Sequence, residues 1–140
     1  MQDRNIAVTQ YDYERLQELI ENERYNDANA VKRKDLKDLA NELEKAQVVK
    51  PSELPADVIT MNSVVELLDL DTNDVLNVTL VFPSDAEYEA QKISVLAPIG
   101  VGMLGYRVGD LIEWPVPRGV RRLKVESITY QPEAAGDFHL

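Results

Sequence analysis

The sequence predicts an α+β fold, in which a short N-terminal antiparallel coiled-coil hairpin precedes an antiparallel β domain with one short helix. Apolar residues recur at helical spacing before residue 50, whereas short β-branched segments separated by turn residues fill the remainder. Between the two parts, Pro51 and Pro55 interrupt helical structure. We therefore expect a helical hairpin over residues 1–50 and a β domain over residues 51–140.

The first helix is predicted over residues 9–23. Its apolar positions recur at spacings of three and four with charged residues between them, and they are Tyr13, Leu16, Leu19 and Ile20. Thr9 is placed to cap the N-terminus, because a threonine hydroxyl accepts hydrogen bonds from the free backbone N–H groups of a first turn.

The second helix is predicted over residues 29–48. Its apolar stripe is narrow, as in a coiled-coil seam, and consists of Leu36, Leu39, Leu43 and Ala46. The polar link over residues 22–28 is short, so the two helices are expected to pack antiparallel. A seam exposed between them would also allow homo-oligomers, and the sequence leaves the oligomeric state open.

The β domain is predicted from short segments rich in β-branched residues. They cover residues 58–61, 64–70, 75–82, 92–96, 111–114 and 122–130. A hairpin turn is expected at residues 71–74, and a change of apolar parity at Glu126-Ser127 predicts a β-bulge. A helix of about two turns should begin at Pro98 and end at Gly105.

Composition and charge exclude several classes of function. The chain has 140 residues, a formal net charge of −10 and no cysteine, which rules out disulfides and thiolate metal sites. The acidic balance disfavours direct, sequence-specific nucleic-acid binding and is compatible with a basic protein surface as partner. From charge alone, solubility is the better explanation of the acidity. With only short apolar runs and no signal-peptide pattern at the first residues, we expect a cytoplasmic protein and no membrane partner.

Residues 100–105 match the GxGxxG pattern of dinucleotide-binding folds. A dinucleotide site needs the third glycine inside a long helix of a parallel βαβ unit, whereas Gly105 should end a very short helix. We interpret these glycines either as positions of close packing of the helix on the sheet or as a surface thin enough for a partner to approach. No cofactor is expected.

Acidic residues gather near the predicted hairpin tip, namely Glu21, Glu23 and Asp27. Hard cations bind carboxylate oxygens, but acidic residues in an exposed turn are more often simply solvated, so no metal site is predicted. The basic run Lys32-Arg33-Lys34 is interpreted as an exposed helix face with local ion pairs.

The sequence contains no recognisable catalytic constellation. His139, the only histidine, lies beside the C-terminus, where nothing is expected to orient it as a general base. No nucleophile with a partnering base can be assembled from a motif, so we predict that the chain is not an enzyme.

Residues 93–110, ISVLAPIGVGMLGYRVGD, are followed by Leu111-Ile112-Glu113-Trp114 and Pro117-Arg118-Gly119. This run resembles the C-terminal domain of the bacterial Gre transcript-cleavage factors. The similarity to the Rnk group, regulators of nucleoside diphosphate kinase, is closer still, through VITMNS at residues 58–63 and YQPEAAGD at residues 130–137.

The resemblance implies an FKBP-like β domain that docks at the rim of the RNA polymerase secondary channel, with the coiled coil pointing inward. The docking turn carried over from the Gre relatives comprises Leu96, Ala97, Pro98 and Ile99. Only Pro98 matches the family unchanged, since Ala97 replaces a serine and Leu96 replaces an acidic residue. Leu96 and Ile99 either form an apolar contact surface or point into the core, and the sequence leaves both open.

The length of the helical hairpin distinguishes between the functions that the resemblance implies. Gre factors bring tip carboxylates to the polymerase metal, but a first helix of about 14 residues spans only roughly 20 Å. We therefore predict a transcription regulator that binds polymerase and competes with Gre-type factors without transcript cleavage. The alternatives are Gre-like cleavage stimulation through the tip carboxylates, and an FKBP-like prolyl isomerase with Phe82, Tyr106 and Trp114 around its pocket.

Overall fold

A computed structural model describes residues 6–27, 29, 33–116, 119–137 and 140. The first part of the chain contains β1 (Ala7–Thr9), α1 (Gln10–Asn26), α2 (Lys34–Glu44) and β2 (Gln47–Val49). The second part contains β3 (Val64–Asp69), β4 (Val75–Val81), β5 (Lys92–Ser94), α3 (Pro98–Met103), β6 (Leu111–Val116), β7 (Gly119–Tyr130) and α4 (Pro132–Ala135). The predicted α+β fold, with helices followed by a sheet, is confirmed.

The start of α1 follows the prediction closely. The Asp12 N–H donates to the Thr9 hydroxyl over 3.1 Å, so Thr9 caps the helix as expected. The helix continues to Asn26, three residues beyond the predicted end. Arg24 in the last turn favours this extension, because a cation interacts well with the free carbonyl groups at a helix C-terminus.

The prediction for α2 was wrong at its C-terminal end. The helix stops at Glu44, and residues 47–49 form β2, which pairs in parallel with β1. The Gln47 N–H also donates to the Ile6 carbonyl over 2.8 Å. Two β-branched residues, Val48 and Val49, favour extended backbone here. The predicted start at residue 29 was also wrong, since α2 begins at Lys34 and Arg33 at its N-cap has extended backbone. Residues 30–32 lie outside the described ranges.

The main sheet has the strand order β5-β4-β3-β7-β6. Its neighbours pair antiparallel except β4 and β5, which pair in parallel, so the expectation of a wholly antiparallel sheet was wrong at this edge. Residues 58–61 form no strand. Their backbone N–H groups form hydrogen bonds outside the sheet. The Ile59 N–H donates to the Tyr106 carbonyl over 2.8 Å, and the Thr60 N–H donates to the Ser63 hydroxyl over 2.9 Å.

The predicted bulge in β7 is confirmed. Leu67 pairs with Val125, but the preceding Glu66 pairs with Ser127, which leaves Glu126 as the extra residue. The shift changes which residues of β7 face the core. Leu123 and Val125 are fully buried before the bulge, and Ile128 packs against the core after it.

One apolar core joins the two parts of the chain. It contains Leu16 and Ile20 of α1, Leu36, Leu39 and Leu43 of α2, and β-domain residues that include Ile59, Met61, Met103 and Leu104. Each of the five helix residues is at most 4% exposed. The leucines of the predicted coiled-coil seam are therefore packed into the core. Among the described residues, no helix has the length and apolar character to cross a membrane.

Candidate functional site

The predicted docking turn connects β5 to α3. The Val95 N–H donates to the Val81 carbonyl over 2.8 Å, which holds the turn against β4. The Leu96 N–H donates to the Ser94 hydroxyl and the Ala97 N–H to the Ser94 carbonyl, both over 3.0 Å. These bonds fix the backbone just before Pro98, which begins α3 as predicted.

The structure separates the two interpretations of the apolar side chains in this turn. Leu96 is only 8% exposed and belongs to the core, so it is not the exposed apolar contact that the sequence allowed. Ile99 is half-buried and packs against the same core, and Ala97 is also half-buried. The turn therefore presents partial surface from Ala97 and Ile99 while Leu96 holds it from inside.

The glycines that follow permit close packing, as predicted. A Cβ atom on Gly100 would lie 2.1 Å from the Ser94 carbonyl oxygen. A Cβ on Gly105 would lie 2.3 Å from the Ile6 side chain, and its φ of +81° is left-handed. The GxGxxG match thus reflects packing of α3 against the turn and the N-terminal segment.

Two of the three predicted tip carboxylates, Glu23 and Asp27, are brought together around a cation of the protein itself. One terminal nitrogen of Arg33 lies 3.4 Å from Glu23 and 3.5 Å from Asp27, and the other lies 2.6 Å from Asp35. The hydrogen bond from Arg33 holds the pKa of the Asp35 carboxyl below its ordinary value. Glu21 is exposed on α1.

Lys34 of the basic run makes a local ion pair, as predicted. Lys34 Nζ lies 2.7 Å from Asp38, one helical turn away. Lys32 of the same basic run and His139 lie outside the described residues. In the part of the chain that the structure describes, no three acidic or histidine side chains are grouped so that they could hold a metal ion.

A buried ionic junction between α1 and the β domain was missed at the sequence level. Asp12 is 1% exposed, and its carboxylate accepts from Arg15 and, over 3.3 Å, from the Met61 N–H. Burial raises the pKa of Asp12 to about 6. A signal was present, since Asp12, Leu16 and Ile20 are spaced by four and share the buried face of α1.

Two of the three aromatic residues considered for a prolyl isomerase pocket pack against the core. Phe82 and Tyr106 are both half-buried there, and the Arg15 guanidinium lies 4.8 Å from the ring centre of Phe82. Trp114 lies on β6, and its side chain is outside the described part of the structure. The prolyl isomerase alternative therefore stays a prediction.

Comparison with known proteins identifies the family. A family model described as "Transcription elongation factor, GreA/GreB, C-term" matches residues 54–130, which is more than half of the chain. A second, described as "Rnk N-terminus", matches residues 4–49. The chain belongs to the GreA/GreB family and carries the Rnk type of N-terminus. The resemblance inferred from the sequence is confirmed in both parts.

Individual relatives agree with this assignment. The "Regulator of nucleoside diphosphate kinase" of Escherichia coli (strain K12) is 41% identical over 137 residues, 96% of each chain. "Transcription elongation factor GreA" of Clostridium perfringens (strain SM101 / Type A) is 33% identical over 114 residues, 79% of this chain and 72% of that protein.

Among solved structures, "Prokaryotic transcription elongation factor GreA/GreB from Nitrosomonas europaea" superposes with a TM-score of 0.77 at 39% identity. The match covers 90% of this chain and all of that one. Both the fold and the transcription-factor family are thereby shown.

Proposed function

We propose that this GreA/GreB family member is a bacterial transcription regulator that binds RNA polymerase at the rim of its secondary channel. It would act in the cytoplasm, compete there with Gre-type factors, and have no cleavage activity or other catalysis of its own. The Escherichia coli relative is named as a regulator of nucleoside diphosphate kinase. Under this proposal, any effect on that kinase would be indirect and would act through transcription. Family membership supports polymerase as the partner, and the geometry of the tip supports the lack of cleavage.

The observation that carries the proposal is the position of Arg33 among the tip carboxylates. A cleavage stimulator has to present carboxylate oxygens that are free to coordinate a divalent cation. Here Glu23 and Asp27 face the Arg33 guanidinium at 3.4 and 3.5 Å, and Asp35 holds its other end at 2.6 Å. A metal ion would have to displace this cation, and so the tip is poorly suited to support catalysis.

The reach of the hairpin supports the same conclusion. At 17 residues, α1 spans about 26 Å, somewhat more than the sequence predicted. The last buried residue of α1 is Ile20, which leaves residues 21–26, about 9 Å of helix, beyond it. Glu21 and Glu23 therefore remain close to the body of the protein.

Docking is assigned to the turn of Leu96, Ala97, Pro98 and Ile99. Because Leu96 is in the core, its role would be to shape the turn, and the half-buried Ala97 and Ile99 would supply the contact. The backbone bonds to Ser94 support this role, since a turn that is already ordered loses little conformational entropy on binding.

Two assays on one preparation test the proposal. Pull-down with core RNA polymerase should retain the full-length protein, and failure to bind would refute the proposal. A stalled elongation complex supplied with Mg²⁺ should show no additional transcript cleavage when the protein is added, with a Gre factor as the positive control. Cleavage above the background would instead establish the Gre-like alternative.

A further inference from the structure

Tyr88 lies on an exposed loop between β4 and β5, and its side chain is 95% exposed. Only Tyr25, at the far end of α1, approaches this value among the exposed large hydrophobic residues of the described chain, with 90%. A tyrosine ring offers a large apolar area and a polar tip with few rotatable bonds, and tyrosine is enriched among the residues that dominate protein interfaces.

The loop that carries Tyr88 is held by its own backbone bonds. Glu87 and Lys92 exchange N–H to carbonyl bonds, each over 3.0 Å, and close the loop at its base. The Gln91 N–H donates to the Tyr88 carbonyl over 3.0 Å, and the Thr79 N–H of β4 donates to the Gln91 carbonyl over the same distance. The ring is therefore projected from a fixed backbone, which lowers the entropy lost on binding.

Charge indicates the kind of surface that this loop would contact. Asp85, Glu87 and Glu89 surround Tyr88 in sequence, and all three are exposed. Lys92 is the one cation in residues 84–92, so this segment has a formal charge of −2 (one Lys against three acidic residues). A matching partner surface has an apolar recess that admits an aromatic ring and lysine or arginine around its edge.

The loop is continuous with the proposed docking turn. Strand β5, three residues or roughly 10 Å long, joins the base of the loop at Lys92 to the start of the turn. A protein interface of ordinary size covers about 800 Å² on each partner, which is enough to include both. One polymerase contact can thus engage the turn and the loop together.

We propose that Tyr88 is an aromatic anchor of the polymerase interface, inserting into an apolar recess with a basic edge. This inference rests on the proposed function, because it assigns a contact residue within the same docking face. Exposed acidic side chains around the ring would steer the approach, and the ring itself would slow dissociation.

The test compares Tyr88→Ala with Val120→Ala in full-length protein, by equilibrium binding to core RNA polymerase. Val120 is the control because it is an exposed apolar side chain on β7, away from the sheet edge formed by β4 and β5 and away from the hairpin tip. We expect Tyr88→Ala to weaken binding at least tenfold, Tyr88→Phe to keep most of the affinity, and Val120→Ala to stay within twofold of wild type. Thermal unfolding of all three variants should match wild type, since neither side chain is buried.

Each outcome has a separate meaning. If wild-type protein binds polymerase and Tyr88→Ala binds it with equal affinity, the anchor is overturned while the proposed function stays intact. Equal losses for Tyr88→Ala and Val120→Ala would also overturn it, because the contribution would not be specific to this loop. If wild-type protein fails to bind polymerase, the proposed function fails and the anchor fails with it.

Discussion

The Thr60 hydroxyl donates to the Glu133 carboxylate over 2.8 Å, and this bond joins the segment after the proline boundary to α4 near the C-terminus. Close by, the Gln131 side-chain amide donates to the carbonyls of Pro55 and Val58, over 2.9 and 2.7 Å. The stretches VITMNS and YQPEAAGD, which carried much of the resemblance, therefore contact each other. Three side-chain hydrogen bonds thus join these distant parts of the chain.

Replacing Thr60 by valine should destabilise the protein. Thr60 is 1% exposed, and its loss leaves the Glu133 carboxylate without this donor, which costs about 1–3 kcal/mol. Urea unfolding measures the change. Thr129→Val is the control, because Thr129 donates only over 3.3 Å at an exposed position, and the change there should stay below about 0.5 kcal/mol. Equal effects would contradict the structural role of the Thr60 bond.

Asp12 should make stability depend on pH in the direction opposite to a paired surface carboxylate. Its pKa of about 6 in the folded protein lies above the ordinary 3.8, so the folded state binds more protons between these values. The stability that Asp12 contributes is fully present below pH 3.8 and is lost as pH rises through 6. At 1.36 kcal/mol per pKa unit, the free energy of unfolding falls by about 3 kcal/mol over this range.

The difference between wild type and Asp12→Asn isolates this effect from the other carboxyl groups. Urea unfolding at pH 4, 5, 6 and 7 should show the wild-type free energy of unfolding falling relative to that of the variant as pH rises. Parallel profiles for the two proteins would show that Asp12 titrates normally, despite its burial beside Arg15 and near Glu133.

Gly105→Ala should destabilise the junction between α3 and the N-terminal segment. The new Cβ would meet the Ile6 side chain at 2.3 Å in a left-handed conformation, and together these cost about 3 kcal/mol. Gly136→Ala is a matched control: φ is +80° there, with nothing within 4 Å, so only the backbone cost of about 1 kcal/mol applies. Thermal unfolding that ranks the two variants in the opposite order would refute the close packing at Gly105.

Arg33→Gln should release the tip carboxylates with little change in stability, because half-exposed ion pairs contribute about 1 kcal/mol or less. The pKa of Asp35 should rise toward its ordinary value, as the hydrogen bond that lowers it is weakened. Side-chain carboxyl NMR follows this titration. Lys34→Gln, which removes the separate pair with Asp38, serves as control and should leave Asp35 unchanged. An unchanged pKa of Asp35 in the Arg33 variant would disprove the coupling between Arg33 and Asp35.

Local sequence patterns predicted the elements whose cause is local. The Thr9 cap and the parity change at Glu126 each depend on neighbouring residues, and both are confirmed. In contrast, the pairing of β1 with β2 joins segments about 40 residues apart. Three-residue strands carry too little periodicity to reveal it.

The site was predicted less completely than the fold. The position of Pro98 at the start of α3 followed from its missing N–H, but the burial of Leu96 depends on the core that the whole chain builds. The pairing of Arg33 with Glu23 and Asp27 depends on how α2 packs against α1. Neither tertiary relationship is encoded by spacing along the sequence.

Competition for RNA polymerase tests the central claim most directly. Fluorescently labelled full-length protein is bound to core polymerase and titrated with an unlabelled Gre factor, and bound fluorescence is followed by anisotropy. If both proteins occupy the rim of the secondary channel, a saturating concentration of the Gre factor should displace the labelled protein completely, and the anisotropy should fall to that of the free protein. Absence of binding, or binding that persists at saturating Gre factor, would contradict the proposal.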